Sequence, residues 1–270
     1  RPMNEVFGGV FQGIRGAFDF SSGVNDVVVV RHPNGAYYSS PFCIQTTTAP
    51  QTRVQFEING RPTDLPMYIS NDGRCMFSNG GEIPSSEDLA TLPLRDGRNA
   101  MDFRVGDNVI ASGGLFCWRQ DDRVIIVDID GTITKTDAGG VVTTSELGQH
   151  ILGNQLGMTH AHDNVCEAMS LLACARYRLL FLTARPITRS NATRRYLASV
   201  GRAGGVAMPE GPLMASSMGT WDTIASVWVD IRNYKADALK RVQALFTPEG
   251  VGPAGGDLSG GLRDHEHDAP

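Results

Sequence analysis

The stretch "RVIIVDIDGTITKTD", residues 123–137, decides how the rest of the chain is read. Val124, Ile125, Ile126 and Val127 form a continuous β-branched run, the pattern of a strand buried on both faces in a largely parallel sheet. The run ends on Asp128; Asp130 follows two residues later, Gly131 lets the chain turn away, and Thr132 adds a hydroxyl beside the two acids. Open α/β sheets place ligands at the carboxyl ends of their strands. Two carboxylates at contact distance disturb each other's ionisation unless positive charge sits beside them. Mg²⁺ meets that need, because it takes oxygen ligands and keeps water and substrate phosphate in its shell, so Asp128 and Asp130 are the candidate metal ligands. The plainer alternative is that the two acids only cap a turn.

Around this stretch lies a chain of 270 residues, 41% of them hydrophobic, enough for two modest domains or one large one. No run approaches the roughly 18 uninterrupted apolar residues of a membrane span, and no basic segment precedes an apolar signal core. A cytoplasmic location is therefore expected. A net charge of −5 without Lys/Arg clusters argues against a nucleic-acid partner. The five cysteines show no CxxC spacing, so they read as reduced thiols rather than as zinc ligands or a disulfide framework. The first residue is Arg1, with a methionine at position 3, which suggests trimmed or non-native residues at the start.

Residues 3–20 place Val6, Phe7, Val10, Phe11, Ile14 and Phe18 on one helical stripe loosened by four glycines. Such a stripe suits either a lipid interface or the protein's own core. From 24 to 80 the pattern is β: "NDVVVVRHPNGAYYSSPFCIQ" predicts a hairpin turning at Pro33-Asn34-Gly35, with further turns at Asn59-Gly60 and Asp72-Gly73. Residues 81–95 read as a polar linker. After the acid-bearing strand, helices are expected over 145–152 and 164–175, then a second apolar strand, "YRLLFLTAR", with Thr183 at its tip, and a helix over about 190–200. Thr183 is thereby placed to donate its hydroxyl to a phosphoryl oxygen. "VWVDIRN" reads as an apolar strand-like stretch ending at Asp230, and Lys235 opens an amphipathic helix. Residues 248–270, rich in Gly, Pro and Asp, read as a disordered tail.

"DIDGT" resembles the nucleophile motif of the haloacid-dehalogenase superfamily, and "DIDGTITKTDAGG" resembles that of the lipins, the Mg²⁺-dependent phosphatidate phosphatases. The likeness extends to "VVVRHPNGAYYSSPF", "VQFEINGRPTDLPMYISNDGRCMF" and "LRDGRNAMDFRV", which are similar to the amino-terminal lipin region and to the lead-in of the carboxyl-terminal one. The resemblance implies an amphipathic membrane-associating helix over 3–20, an immunoglobulin-like β-sandwich over 24–119, and an α/β Rossmann-like haloacid-dehalogenase catalytic domain over 120–247. It also implies roles. Asp128 attacks phosphorus, Asp130 protonates the leaving alkoxide and later activates water, and its backbone carbonyl joins Asp128 on Mg²⁺. Thr183, in "TAR", matches a Ser-Ala-Arg-type motif, and Lys235 neutralises the transferring phosphoryl group, with Lys240 as the alternative.

The sequence departs from the family in one place. A strand after the last helix, bearing a Gly-Asn-Arg-X-Thr-Asp-type motif whose acid completes the metal shell, is absent, leaving Asp230 as the replacement candidate. The catalytic domain is therefore expected to be incomplete at its C-terminal end, with the nucleophile strand an open edge and turnover of this chain alone low. The expected function is hydrolysis of phosphatidate to diacylglycerol at the endoplasmic reticulum or nuclear membrane surface. The alternatives are a catalytically impaired lipin-like interaction protein, or a phosphatase for another phosphoester.

Overall fold

The computed structural model describes residues 22–135, 161–217 and 224–247. The expected helices over 3–20 and 145–152 and the tail from 248 lie outside the described residues.

The first part of the chain is β-rich. Its strands are β1 (Gly23–Val24), β2 (Val27–Arg31), β3 (Tyr37–Ser39), β4 (Ile44–Gln45), β5 (Arg53–Ile58), β6 (Arg61–Pro62), β7 (Met67–Ile69), β8 (Cys75–Phe77), β9 (Gly97–Val105) and β10 (Asn108–Arg119). Eight of them form one sheet in the order β3-β2-β10-β9-β5-β7-β8, with β6 on β5, while β1 pairs with β4. The predicted turns are observed. His32 closes the β2–β3 hairpin through its N–H to the Ala36 carbonyl, and Asn59 and Gly60 both carry positive φ between β5 and β6, as a tight two-residue hairpin requires. Alternation does the packing: Val54, Phe56 and Ile58 of β5 point inward to a core that includes Phe42, Met101 and Phe103, with Phe56 stacked on Phe103 at 5.2 Å.

The stretch read as a linker holds a short helix, α1 (Ser86–Thr91). Ser85 and Asp88 form a reciprocal capping box, and Leu89 and Leu92 plug into the β core. The signal was present as Ser-x-x-Asp ahead of two leucines, but its polar surroundings hid it.

The second part is α/β. Strands β11 (Arg123–Asp128), β12 (Tyr177–Pro186) and β13 (Leu213–Ser216) form a parallel sheet in that order. Helices α2 (Val165–Cys174) and α3 (Ser190–Gly204) cover one face, burying Val127, Leu179 and Phe181 with Val165 and Leu197. Strand β13 was not foreseen, since its four residues sit inside a Gly/Pro-rich run. The strand-like reading of "VWVDIRN" is corrected: those residues belong to a long helix, α4 (Ile224–Ala244), so Asp230 lies on a helix and Lys235 in its interior rather than at its start. Ile224, Val227, Ile231, Tyr234, Ala238 and Val242 recur at three- and four-residue intervals, and the short apolar run within them mimics a strand.

Strand β2 joins the two parts. Val27 and Val29 enter the β-rich core, whereas Val28 and Val30 face the other way, packing with Phe116 and Trp118 of β10 against Leu180, Leu182 and Met214 of the parallel sheet and Val242 and Leu245 at the end of α4. That is why the run is Val-Val-Val-Val rather than alternating. The free edge of β13 is closed by the two residues just before β2. The Asn25 side chain exchanges two hydrogen bonds of 2.8 Å with the Ala215 backbone. The Asp26 carboxylate accepts from the N–H groups of Leu213 and Gly114 at 2.8 and 2.6 Å and from Arg194 Nη2 at 2.7 Å. Strand β11, by contrast, has a neighbour on one side only among the described residues.

Candidate functional site

Parallel pairing sets Asp128 opposite Leu182, so the acid and Thr183 reach the same end of the sheet. Beyond Asp128 the chain folds back in a tight loop. Gly131 takes φ 92°, and Ile129 O accepts from the N–H groups of both Ile133 and Thr134 at 3.0 Å. The fully buried Thr134 hydroxyl pins this loop, accepting from Gly131 N–H at 3.2 Å and donating to Ile129 O at 3.3 Å. Thr132, the hydroxyl singled out in the sequence, is exposed, and no hydrogen bond from its side chain occurs among the described residues. Thr134, not Thr132, is the hydroxyl that holds this loop.

Two ion pairs stand side by side. Lys235 Nζ donates to Asp128 Oδ2 at 2.6 Å, so α4 delivers the predicted lysine to the predicted nucleophile, whereas Lys240 is exposed on the same helix. The end of that helix is fixed from the β-rich part: His32 Nε2 lies 2.7 Å from Leu245 O, and Gln120 Nε2 donates to Phe246 O at 3.2 Å. The other carboxylate oxygen, Asp128 Oδ1, is buried and has no hydrogen-bond partner among the described residues. The second pair is Asp130 with Arg185, whose Nε and Nη2 both donate to Asp130 Oδ1 at 3.1 and 2.9 Å. Asp130 Oδ2 accepts from the Thr183 hydroxyl at 2.7 Å, and that hydroxyl accepts from Arg185 N–H at 3.1 Å.

Arg185 was quoted in the sequence within "TAR" but given no role. The signal that finds it is the two-residue period of a strand: Thr183 and Arg185, both within β12, share a face, and both meet Asp130. Formal charge over Asp128, Asp130, Lys235 and Arg185 sums to zero, so the site can take up a dication together with a dianion without a net charge penalty. The lone buried Oδ1 fits a cation ligand, since a carboxylate oxygen without a donor is costly to bury. Among the described residues no three His, Cys, Asp or Glu side chains converge, so the third acid of the family's metal set has no counterpart there.

Residues 82–260 match the family model described as LNS2 (Lipin/Ned1/Smp2), and residues 5–92 match the one described as lipin, N-terminal conserved region. The human phosphatidate phosphatase LPIN3 is 31% identical over 172 residues, covering 62% of this chain and 19% of that protein. The phosphatidate phosphatase PAH1 of Arabidopsis thaliana is 32% identical over 170 residues, covering 61% and 18%. The nuclear elongation and deformation protein 1 of Schizosaccharomyces pombe is 33% identical over 133 residues, covering 49% and 19%. The chain thus spans about a fifth of the length of the curated relatives it matches.

Proposed function

This chain belongs to the lipin family, and from that premise we propose that it is a phosphatidate phosphatase, hydrolysing phosphatidate to diacylglycerol and phosphate through an aspartyl-phosphate on Asp128. The observation that carries the reading is the state of Asp128: one oxygen neutralised by Lys235, the other buried and free of donors among the described residues, at the carboxyl end of a parallel strand.

Asp130 takes up a proton from solvent as the substrate binds; Asp128 then attacks phosphorus and expels the diacylglycerol alkoxide, which takes that proton from Asp130. Asp130 then accepts a proton from the water that attacks the acyl-phosphate, returning Asp128 to its starting form. Lys235 stays beside Asp128 throughout, lowering the repulsion between the nucleophile and an anionic phosphoryl group. Thr183 supplies a hydroxyl donor at the same strand end. Asp128 Oδ1 and the backbone carbonyl of Asp130 would hold Mg²⁺. Bound there, Mg²⁺ would supply charge neutralisation and Lewis-acid polarisation of a phosphoryl oxygen.

The finer assignments belong to this proposal. They are an immunoglobulin-like description of residues 24–119, a Rossmann-like catalytic domain over 120–247, and residues 3–20 lying on a cytoplasmic membrane surface of the endoplasmic reticulum or nuclear envelope. No helix among the described residues is long and apolar enough to cross a membrane. A second reading, a lipin-like interaction protein with weakened catalysis, is favoured by the two acids that stand without a third among the described residues. Phosphate release from phosphatidate in mixed micelles, measured against Mg²⁺ concentration, separates the two. The proposal expects Mg²⁺-dependent release that vanishes in Asp128→Asn; release by that variant would refute the nucleophile assignment.

A further inference from the structure

Asp130 gathers three donors that a phosphoryl group would also take: two guanidinium N–H groups of Arg185 and the Thr183 hydroxyl. Resting on the phosphoryl-transfer reading above, we propose that Arg185 is a phosphate-binding residue, its guanidinium parked on Asp130 in the free protein and passing to the phosphoryl oxygens when the anion arrives. The Asp130 carboxylate is then the resident stand-in for the substrate's anionic head.

The geometry suits an exchange. Arg185 and Asp130 are 16% and 21% exposed, less open than Lys235 and Asp128 at 26% and 37% but still reachable by an anion that has entered the site. Both guanidinium bonds land on one carboxylate oxygen, a forked contact that a phosphoryl oxygen reproduces while offering further acceptors. The Arg185 guanidinium carbon lies 5.8 Å from the centre of the Tyr196 ring, whose face favours a cation there. Thr183 keeps its bond from Arg185 N–H while its own proton is free to rotate from Asp130 to a phosphoryl oxygen. Release of these donors frees Asp130 to turn toward the leaving oxygen.

If one guanidinium serves two anions, the carboxylate competes with phosphate, and removing the competitor strengthens phosphate binding only while Arg185 is present. The test titrates inorganic phosphate into the full chain in metal-free buffer, following affinity and the arginine Nε–H resonances. Arg185→Gln is expected to weaken binding by about tenfold to a hundredfold, the usual worth of a charge-assisted contact. Asp130→Asn should tighten it by about tenfold. In the double variant that gain should disappear relative to Arg185→Gln alone.

Equal affinity of wild type and Arg185→Gln overturns the proposal. So does the same gain from Asp130→Asn in both backgrounds, which would mark a general charge effect, and so does absence of phosphate binding by the wild type. Should Arg185→Gln not fold, the isosteric Asp130→Asn and the wild-type Arg185 resonance still decide, because a resonance unmoved at phosphate saturation contradicts the exchange. Hydrolysis tests the functional reading separately: a chain that binds phosphate as described yet releases none from phosphatidate sinks that reading and leaves the exchange standing.

Discussion

Replacing Asp26 with alanine should weaken the joint between the two halves of the molecule. Asp26 is 4% exposed, and its carboxylate serves donors from three elements: Gly114 of β10, Leu213 of β13 and Arg194 of α3. Asp26→Ala leaves the Arg194 cation, 24% exposed, without its carboxylate, and strands two backbone N–H groups in the seam. Removing one partner of a buried ion pair costs about 3–5 kcal/mol. For a domain of this size each kcal/mol lowers the melting temperature by about 2–4 °C, so a fall of about 6–20 °C is expected. Urea unfolding of the wild type, Asp26→Ala and Asp26→Ala/Arg194→Met measures it. The double variant should lose less than the two single changes combined, because the stranded cation is gone. A loss below about 1 kcal/mol for Asp26→Ala, in the range of an exposed pair, would refute the claim that this carboxylate holds the sheets together.

Thr134→Val should destabilise by about 1–3 kcal/mol by leaving Gly131 N–H unpaired, while Thr132→Val should stay within about 0.5 kcal/mol, both read from urea midpoints. Lys235→Met should reduce the turnover number with little change in melting temperature, since the pair is partly exposed; unchanged turnover would remove Lys235 from the machinery. Burial pushes the thiols of Cys43 and Cys75 up to about 12 from an unfolded value near 9. The folded state therefore keeps protons that the unfolded chain releases above pH 9, so stability is full below that pH and falls as pH rises toward 12. Urea midpoints at pH 7 and 10 show the fall, and Cys43→Ala should lessen it. Among the five free cysteines Cys174 alone is exposed, so a thiol reagent at pH 8 should modify one site rapidly and Cys174→Ser should abolish that phase.

Asp128 is legible in the sequence because a buried parallel strand leaves an unbroken apolar run whose end is visible, and Thr183 is legible for the same reason. Lys235 is legible through family likeness, although its helix is misplaced, since "VWVDIRN" fits a strand as well as about two turns of a helix until the wider spacing to Val242 is counted. What stays hidden is whatever depends on distant chain segments meeting. Nothing local in "GVND" announces that Asn25 and Asp26 close the edge of a strand almost 190 residues away, since the hydrogen bonds exist only once both sheets are formed. Arg185 lies between these cases: the two-residue period put it beside Thr183, and only the fold shows that Asp130 is what both of them face. The burial of the Thr134 hydroxyl was not legible from spacing, because the tight turn at Gly131 is what points it inward.

The central claim is that Asp128 becomes phosphorylated. Wild-type protein mixed with Mg²⁺ and phosphatidate labelled in its phosphate, quenched in acid within one turnover and digested, should carry the label as a hydroxylamine-sensitive acyl-phosphate on the peptide containing Asp128, and Asp128→Asn should carry none. Label on any other residue, or release of phosphate by the wild type with no label on Asp128, would contradict the account.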